Sequence, residues 1–334
     1  MIYPNDFINK NICGDSVQIM KYIPNDIIDL VVTSPPYDNL RTYKGGVKDD
    51  ISYEEGYSFP FVEMVRELYR VMKKGGIVVW VVNDQVKDGG ETGTSFRMAL
   101  KFQELGFKIY DTMVYYKNGA NFPESARYSQ VFEYMFVFLK GDRPNTVNLI
   151  KDKENAWAGT STFGKRSSRT KDGDIKKANS FVVADYSTRY NVWYILNGAG
   201  YTTKDKFAYD HPGMFPESLA EDHILSWSNE GDIVLDPLCG AGTTQKMAKL
   251  NNRNFIGIDL QQEYINISNK RVDVIPYTDE NPNPKKKFIV SREQQLEKRK
   301  KTREENQKLK EESKLVEEIK KPDVTQVDDD FWNN

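Results

Sequence analysis

Along the first third of the chain, short apolar runs alternate with segments whose apolar residues recur at helical spacing, a layout that predicts a sheet with crossover helices. Asn11-Ile12-Cys13 is the first strand candidate, and Asp15 stands where it caps a helix over Ser16–Tyr22, ended by Pro24-Asn25. The run Ile27–Val32 predicts a buried strand that delivers Thr33-Ser34-Pro35-Pro36-Tyr37. Phe61, Met64, Val65, Leu68 and Val71 fall on one face of a helix predicted over Phe59–Met72, with Gly75-Gly76 as its stop and Ile77–Val82 as the next strand. A helix over Thr94–Leu105 precedes two strand candidates rich in aromatic and β-branched residues, Phe107–Tyr116 and Gln130–Leu139, expected to pair antiparallel.

Between Gly141 and Lys206 the periodicity decays into Gly, Ser, Asn and charge, which reads as an inserted, irregular subdomain with 163–171 as its most basic stretch. Order returns at His211–Glu217, a turn into a helix over Ser218–Ser228. A strand Ile233–Leu235, a glycine-rich turn, a helix Thr243–Leu250 and a strand Phe255–Ile258 then form a βαβ unit ending in Asp259. Beyond Val274 a Lys/Glu-rich stretch and an acidic end predict a charged helix that frays into a disordered tail.

Composition narrows the class. With 334 residues, 39% hydrophobic and 12% aromatic, the chain has material for a large core and is neither fibrous nor wholly disordered. A formal charge of −2 means that binding to a polyanion must come from segregated charge, here Lys165, Arg166, Arg169 and their neighbours. Two distant cysteines, Cys13 and Cys239, match neither a disulfide framework nor metal-ligand spacing; both read as small buried residues, and no metal is expected. With no signal layout and no membrane-length apolar run, a soluble, unprocessed cytoplasmic protein is expected.

Two motifs carry chemistry. Asp236-Pro237-Leu238-Cys239-Gly240-Ala241-Gly242-Thr243-Thr244 joins strand to helix, where glycines let a ligand approach backbone N–H groups at a helix N-terminus. Gln245 replaces the third glycine of the dinucleotide fingerprint and an aspartate leads the turn, which disfavours NAD and favours S-adenosylmethionine. Asp236 is suited to accept from an ammonium group, and Asp259 from ribose hydroxyls. Thr33-Ser34-Pro35-Pro36-Tyr37 lies at a strand's carboxyl end. Its prolines stiffen the backbone and leave carbonyl acceptors for an exocyclic amine, Ser34 adds another acceptor, and Tyr37 offers a ring on which a flipped base can stack.

In this order, TSPPY then DPLCGAGTT, the chain resembles the amino-methyltransferases of DNA in which the catalytic motif precedes the cofactor motif. HPGMFPESL resembles that group's connecting motif, and Gly14-Asp15-Ser16 the segment that helps hold the cofactor's adenosine. The resemblance implies a Rossmann-like α/β methyltransferase fold in permuted order, a mixed sheet with helices on both faces. It implies a catalytic half over 1–140, a target-recognition region over 141–206, a cofactor half over 207–275 and, outside it, the tail 276–334. It also implies that Ser34, Pro35, Pro36 and Tyr37 hold the target amine. Asp15, Phe215, Glu217, Asp236, Pro237, Leu238, Gly240, Gly242, Thr243, Thr244 and Asp259 would hold S-adenosylmethionine.

Ser before Pro-Pro-Tyr is similar to family members acting on cytosine N4, whereas Asp there is more usual for adenine N6. Carbon-5 methylation needs a cysteine nucleophile, typically after proline, and neither cysteine here follows one. The expected activity is therefore site-specific N4-cytosine methylation, of the kind found in restriction-modification systems. The alternatives are adenine N6 methylation, a catalytically silent DNA-binding module, and methylation of RNA or protein. Expected partners are double-stranded DNA, contacted through Arg41, Lys44, Lys165, Arg166 and Arg169, and a cognate restriction endonuclease; a monomer or a homodimer fits equally.

Overall fold

The computed structural model describes residues 1–36, 59–119, 126–160, 167–177 and 182–273, with 167–169 and 175–177 as backbone. All lie in one compact unit spanning Met1–Pro276. Tyr37, Arg41, Lys44, Lys165, Arg166 and the tail are outside the described residues, as is the Arg169 side chain.

Eight strands build one sheet: β1 (Lys10–Cys13), β2 (Ile28–Thr33), β3 (Met72–Val82), β4 (Lys108–Lys117), β5 (Phe132–Leu139), β6 (Val192–Ile195), β7 (Ile233–Asp236) and β8 (Asn254–Asp259). Their order is β1-β8-β7-β2-β3-β5-β4-β6, so the strands latest in sequence sit between the two earliest. Every neighbouring pair is parallel except those that β5 makes with β3 and β4. The carboxyl ends of the other strands and the amino end of β5 therefore share one edge, where an open α/β sheet binds ligands.

Strand alternation gives the sheet two apolar faces. Val31, Val78, Trp80, Phe136 and Phe138 share a core with Val17, Phe61, Met98 and Phe102 from the helices α1 (Ser16–Met20), α2 (Phe61–Val71) and α3 (Thr94–Glu104). The intervening residues point the other way, where His223 of α4 (Glu217–Trp227) meets Met135 at 3.3 Å. Two more helices, α5 (Thr243–Leu250) and α6 (Gln262–Val272), flank β8 in sequence. Asp15 caps α1 as expected, accepting from the Gln18 N–H at 2.8 Å.

Three expectations need correction. Gly75-Gly76 does not stop α2: the helix ends at Val71 and β3 starts at Met72. The glycine pair lies inside β3, where the register with β2 slips between Met72 and Ile77. There Gly75 has φ +86°, and a Cβ would run into the Asn145 side chain, so only glycine fits. Second, part of the insertion belongs to the sheet, because Val192–Ile195 pairs in parallel with β4 as the edge strand β6. Third, Cys13 is exposed, since it ends the other edge strand, β1; Cys239 is buried.

The α1–α3 core centres on Phe102, which stacks on Phe138 at 4.0 Å and meets Trp80, Phe107 and Phe61 edge-on at 5.1, 5.4 and 5.7 Å. Its ring fills a fully buried site, so Phe102→Ala removes contacts that the surrounding rings cannot replace. Urea denaturation of Phe102→Ala is expected to show a loss of about 3–5 kcal/mol.

Candidate active site

At the common strand edge a cavity of about 340 Å³ is lined from both halves of the chain. The turn after β7 forms one wall. The Asp236 carboxylate is 2% exposed, and its Oδ1 accepts from Thr33 Oγ1 at 2.6 Å and from the Leu238 N–H at 3.1 Å. Burial pushes its pKa up to about 7, against the lowering pull of those hydrogen bonds. Asp259, at the end of β8, accepts from the Gly240 and Gln261 N–H groups, both at 2.9 Å. Burial raises its pKa too, and the two N–H groups pull it back.

Gly240 has φ +47°, and a Cβ on it would stand 2.6 Å from His211 Nε2, which also lines the cavity. Gly242 has φ +77° and starts α5; a Cβ there would overlap Ser268 of α6. The glycines are thus dictated by left-handed backbone and by close approach of His211 and α6.

The second wall starts at the end of β2. Ser34 and Pro36 are half-buried and line the cavity, while Pro35 is buried behind them. Hydrogen bonds tie this strand end to the turn: Thr33 to Asp236, and Thr244 Oγ1 to the Val32 carbonyl at 2.9 Å. The Ser16 hydroxyl donates to the Pro237 carbonyl, drawing α1 to the same turn. Asp15, Phe215, Leu238 and Thr243 complete the predicted residues that reach the cavity.

Four others expected to hold cofactor do not line it: Pro237, Gly242, Thr244 and Glu217. The first three shape the turn. Glu217 instead accepts from Arg271, Lys246 and Thr203, at 2.5, 2.8 and 2.6 Å. Arg271, fully buried in α6, also bonds Asp205, the Ala241 carbonyl at 3.0 Å and Thr243 Oγ1 at 2.9 Å. A guanidinium with planar forked donors suits such a multiple contact. It clamps the glycine-rich turn to the segment leaving the insertion, a role that a polar stretch such as 262–272 does not advertise in sequence.

Sequence reasoning also missed cavity residues on β4 and β5. Tyr115, Lys117 and Glu133 line it, as do Tyr264 and the Leu260-Gln261 pair after β8. Their signal would have been the strand register, which places Tyr115 opposite Glu133.

Comparison with known proteins identifies this arrangement. The N6/N4 DNA methylase family model matches residues 28–270. The chain belongs to that family. It is a DNA methyltransferase, 52% identical over 246 residues to the orphan methyltransferase M.BamHII of Bacillus amyloliquefaciens, across 73% of this chain and 88% of that protein. Its fold is like that of the PvuII cytosine-N4-specific DNA methyltransferase, with TM-score 0.55 and 20% identity over 81% of this chain and 88% of that one. It is also like that of M1.HpyAVI in its SAM complex, with TM-score 0.51 and 21% identity over 79% and 99%. In this methyltransferase Cys239 is no thiolate nucleophile, because burial and the nearby Asp259 and Asp236 charges hold its thiol protonated. Among the described residues no helix is long and apolar enough to cross a membrane.

Arg271→Met would leave the Glu217 and Asp205 carboxylates sharing Lys246 alone, with one negative charge of the network uncompensated. Denaturant melts of this variant are expected to show a loss of about 3–5 kcal/mol, the cost of breaking a buried ion pair from one side.

Proposed function

We propose that this chain transfers a methyl group from S-adenosylmethionine to the exocyclic N4 of a cytosine flipped out of double-stranded DNA. The observation that carries the reading is one cavity that joins the Asp236–Gly240–Asp259 wall to Ser34 and Pro36. S-adenosylmethionine, when bound, supplies an activated methyl group. The donor set suits it: Asp236 accepts from an ammonium, Asp259 from ribose hydroxyls, and the Gly240 turn leaves room for close approach. Phe215, Leu238 and Tyr264 offer apolar walls for an adenine ring.

On the base side, Ser34 Oγ and a proline carbonyl of the Pro35-Pro36 pair accept hydrogen bonds from the amine's two N–H groups. Those hydrogen bonds oppose conjugation of the nitrogen lone pair into the ring and make it the nucleophile, so no covalent enzyme intermediate is needed. Tyr37 supplies the stacking ring, and Arg41, Lys44, Lys165, Arg166 and Arg169 the phosphate contacts. Segment 141–206 carries the target recognition. Ser34, in place of an aspartate, favours cytosine over adenine as the substrate.

Mass spectrometry of nucleosides from unmethylated DNA incubated with the protein and S-adenosylmethionine tests the reaction. N4-methylcytosine, absent with Tyr37→Ala, is the expected result, and N6-methyladenine would overturn the choice of base. Asp236 gives a second test, since an ammonium ligand selects its ionised form. Below its free-protein value of about 7, binding must release a proton. Cofactor affinity measured by calorimetry is expected to rise by up to about tenfold per pH unit towards neutrality and then level off. Asp236→Asn should weaken binding and flatten that rise.

A further inference from the structure

A further wall of the cavity is built by β4 and β5. Tyr115 of β4 faces Glu133 of β5 across the antiparallel ladder, and Lys117 lies two residues on, on the same face of the strand. All three line the cavity. Lys117 and Glu133 form a salt bridge with side chains only 16% and 11% exposed. Lys117 Nζ also lies 5.8 Å from the centre of the Tyr115 ring. Tyr115 itself is 2% exposed, and its buried hydroxyl has no hydrogen-bond partner among the described residues.

A buried hydroxyl left without a partner costs on the order of 1–3 kcal/mol, so a phenylalanine would serve the fold alone at least as well. The hydroxyl gains a purpose only when an acceptor enters the cavity. Burial and the neighbouring Glu133 charge raise the pKa of the phenol, keeping it a proton donor. The Lys117 ammonium has three N–H donors, of which the pair with Glu133 occupies one. This wall therefore presents two donors side by side, with Glu133 as a positioning residue for the second.

We propose that Tyr115 and Lys117 read the ring edge of the flipped base next to its exocyclic amine. The assignment rests on the cytosine reading and deepens it. Cytosine carries two adjacent acceptors, N3 and O2, beside its amine. Adenine carries one acceptor, N1, followed by a C2–H that would leave the second donor unpaired. Two donors in this wall give the preference for cytosine a hydrogen-bonding basis on the ring edge, in addition to Ser34, which meets the amine. A site built to hydrogen-bond its substrate rejects analogues that lack the partner group more strongly than an apolar pocket rejects a poor fit.

Tyr115→Phe tests this with three readouts on the full chain. Thermal stability is expected to hold or increase, calorimetric affinity for S-adenosylmethionine to stay unchanged, and kcat/KM on unmethylated plasmid DNA to fall by about 10- to 50-fold. Undiminished kcat/KM overturns the proposal. So does a parallel loss of cofactor affinity, which would turn Tyr115 towards the cofactor, or a fall in melting temperature, which would make the hydroxyl a structural group. The wild-type product is measured separately: N6-methyladenine there overturns the cytosine reading and the two-donor match with it, whatever Tyr115→Phe does.

Discussion

A carboxylate buried at the end of a parallel strand is the constraint on which the site turns. Asp236 is only 2% exposed, and it is held by the Thr33 and Thr244 hydroxyls and the Leu238 N–H with no cation among those partners. Isolating a charge in this way is costly unless a partner arrives. The fold accepts that burden because the same hydrogen bond from Thr33 joins the end of β2 to the end of β7, residues 203 positions apart in sequence. The strand that carries Ser34 and the strand that carries the glycine-rich turn are thereby held at one spacing. Thr244 and Ser16 add bonds at the same seam, so the cavity floor is fixed before any ligand enters.

Behind the turn, polar groups are used differently. Arg271, Lys246, Asp205 and Glu217 neutralise one another inside the protein. A buried ion network of this kind adds little net stability compared with an apolar core, but it fixes geometry, because each group is costly if left alone. Arg189 repeats the device on a smaller scale, bridging Asp152 of the insertion and Asp222 of α4. The insertion is thus attached through an edge strand, an ion bridge and the Asp205 corner.

Much of this was legible in the sequence, and the failures have physical causes. The run Ile27–Val32 and the apolar face of α2 announced themselves because burial in a parallel sheet or against one needs uninterrupted or periodic hydrophobes. The turn 236–244 was legible because left-handed backbone restricts its residues. Lys73 and Lys74 disguised the start of β3, although Lys73 finds Asp29 at 2.6 Å. Strand β6 is only four residues long, and its outward positions are Val192 and Tyr194, so it shows no polar alternation to mark it within an irregular stretch. Glu217 sits in a stretch that resembles the connecting motif of such enzymes, but its direction is decided by Arg271, 54 residues later. Tyr115 and Glu133 read as ordinary strand residues until the register of β4 and β5 places them together.

The insertion of β7 between β8 and β2 has a kinetic consequence. Leu30 and Val31 emerge early in synthesis, but their partners Val234 and Leu235 come near the end of the folded unit. Until then β2 has an unpaired, largely apolar edge, the kind of surface that pairs with other chains. Loop closure over such a distance is slow, and sheets dominated by it form late. Any β2–β3–β5–β4 portion that assembles before then carries an open flank. Its protection from aggregation during that interval depends on how quickly the ribosome delivers the last two strands.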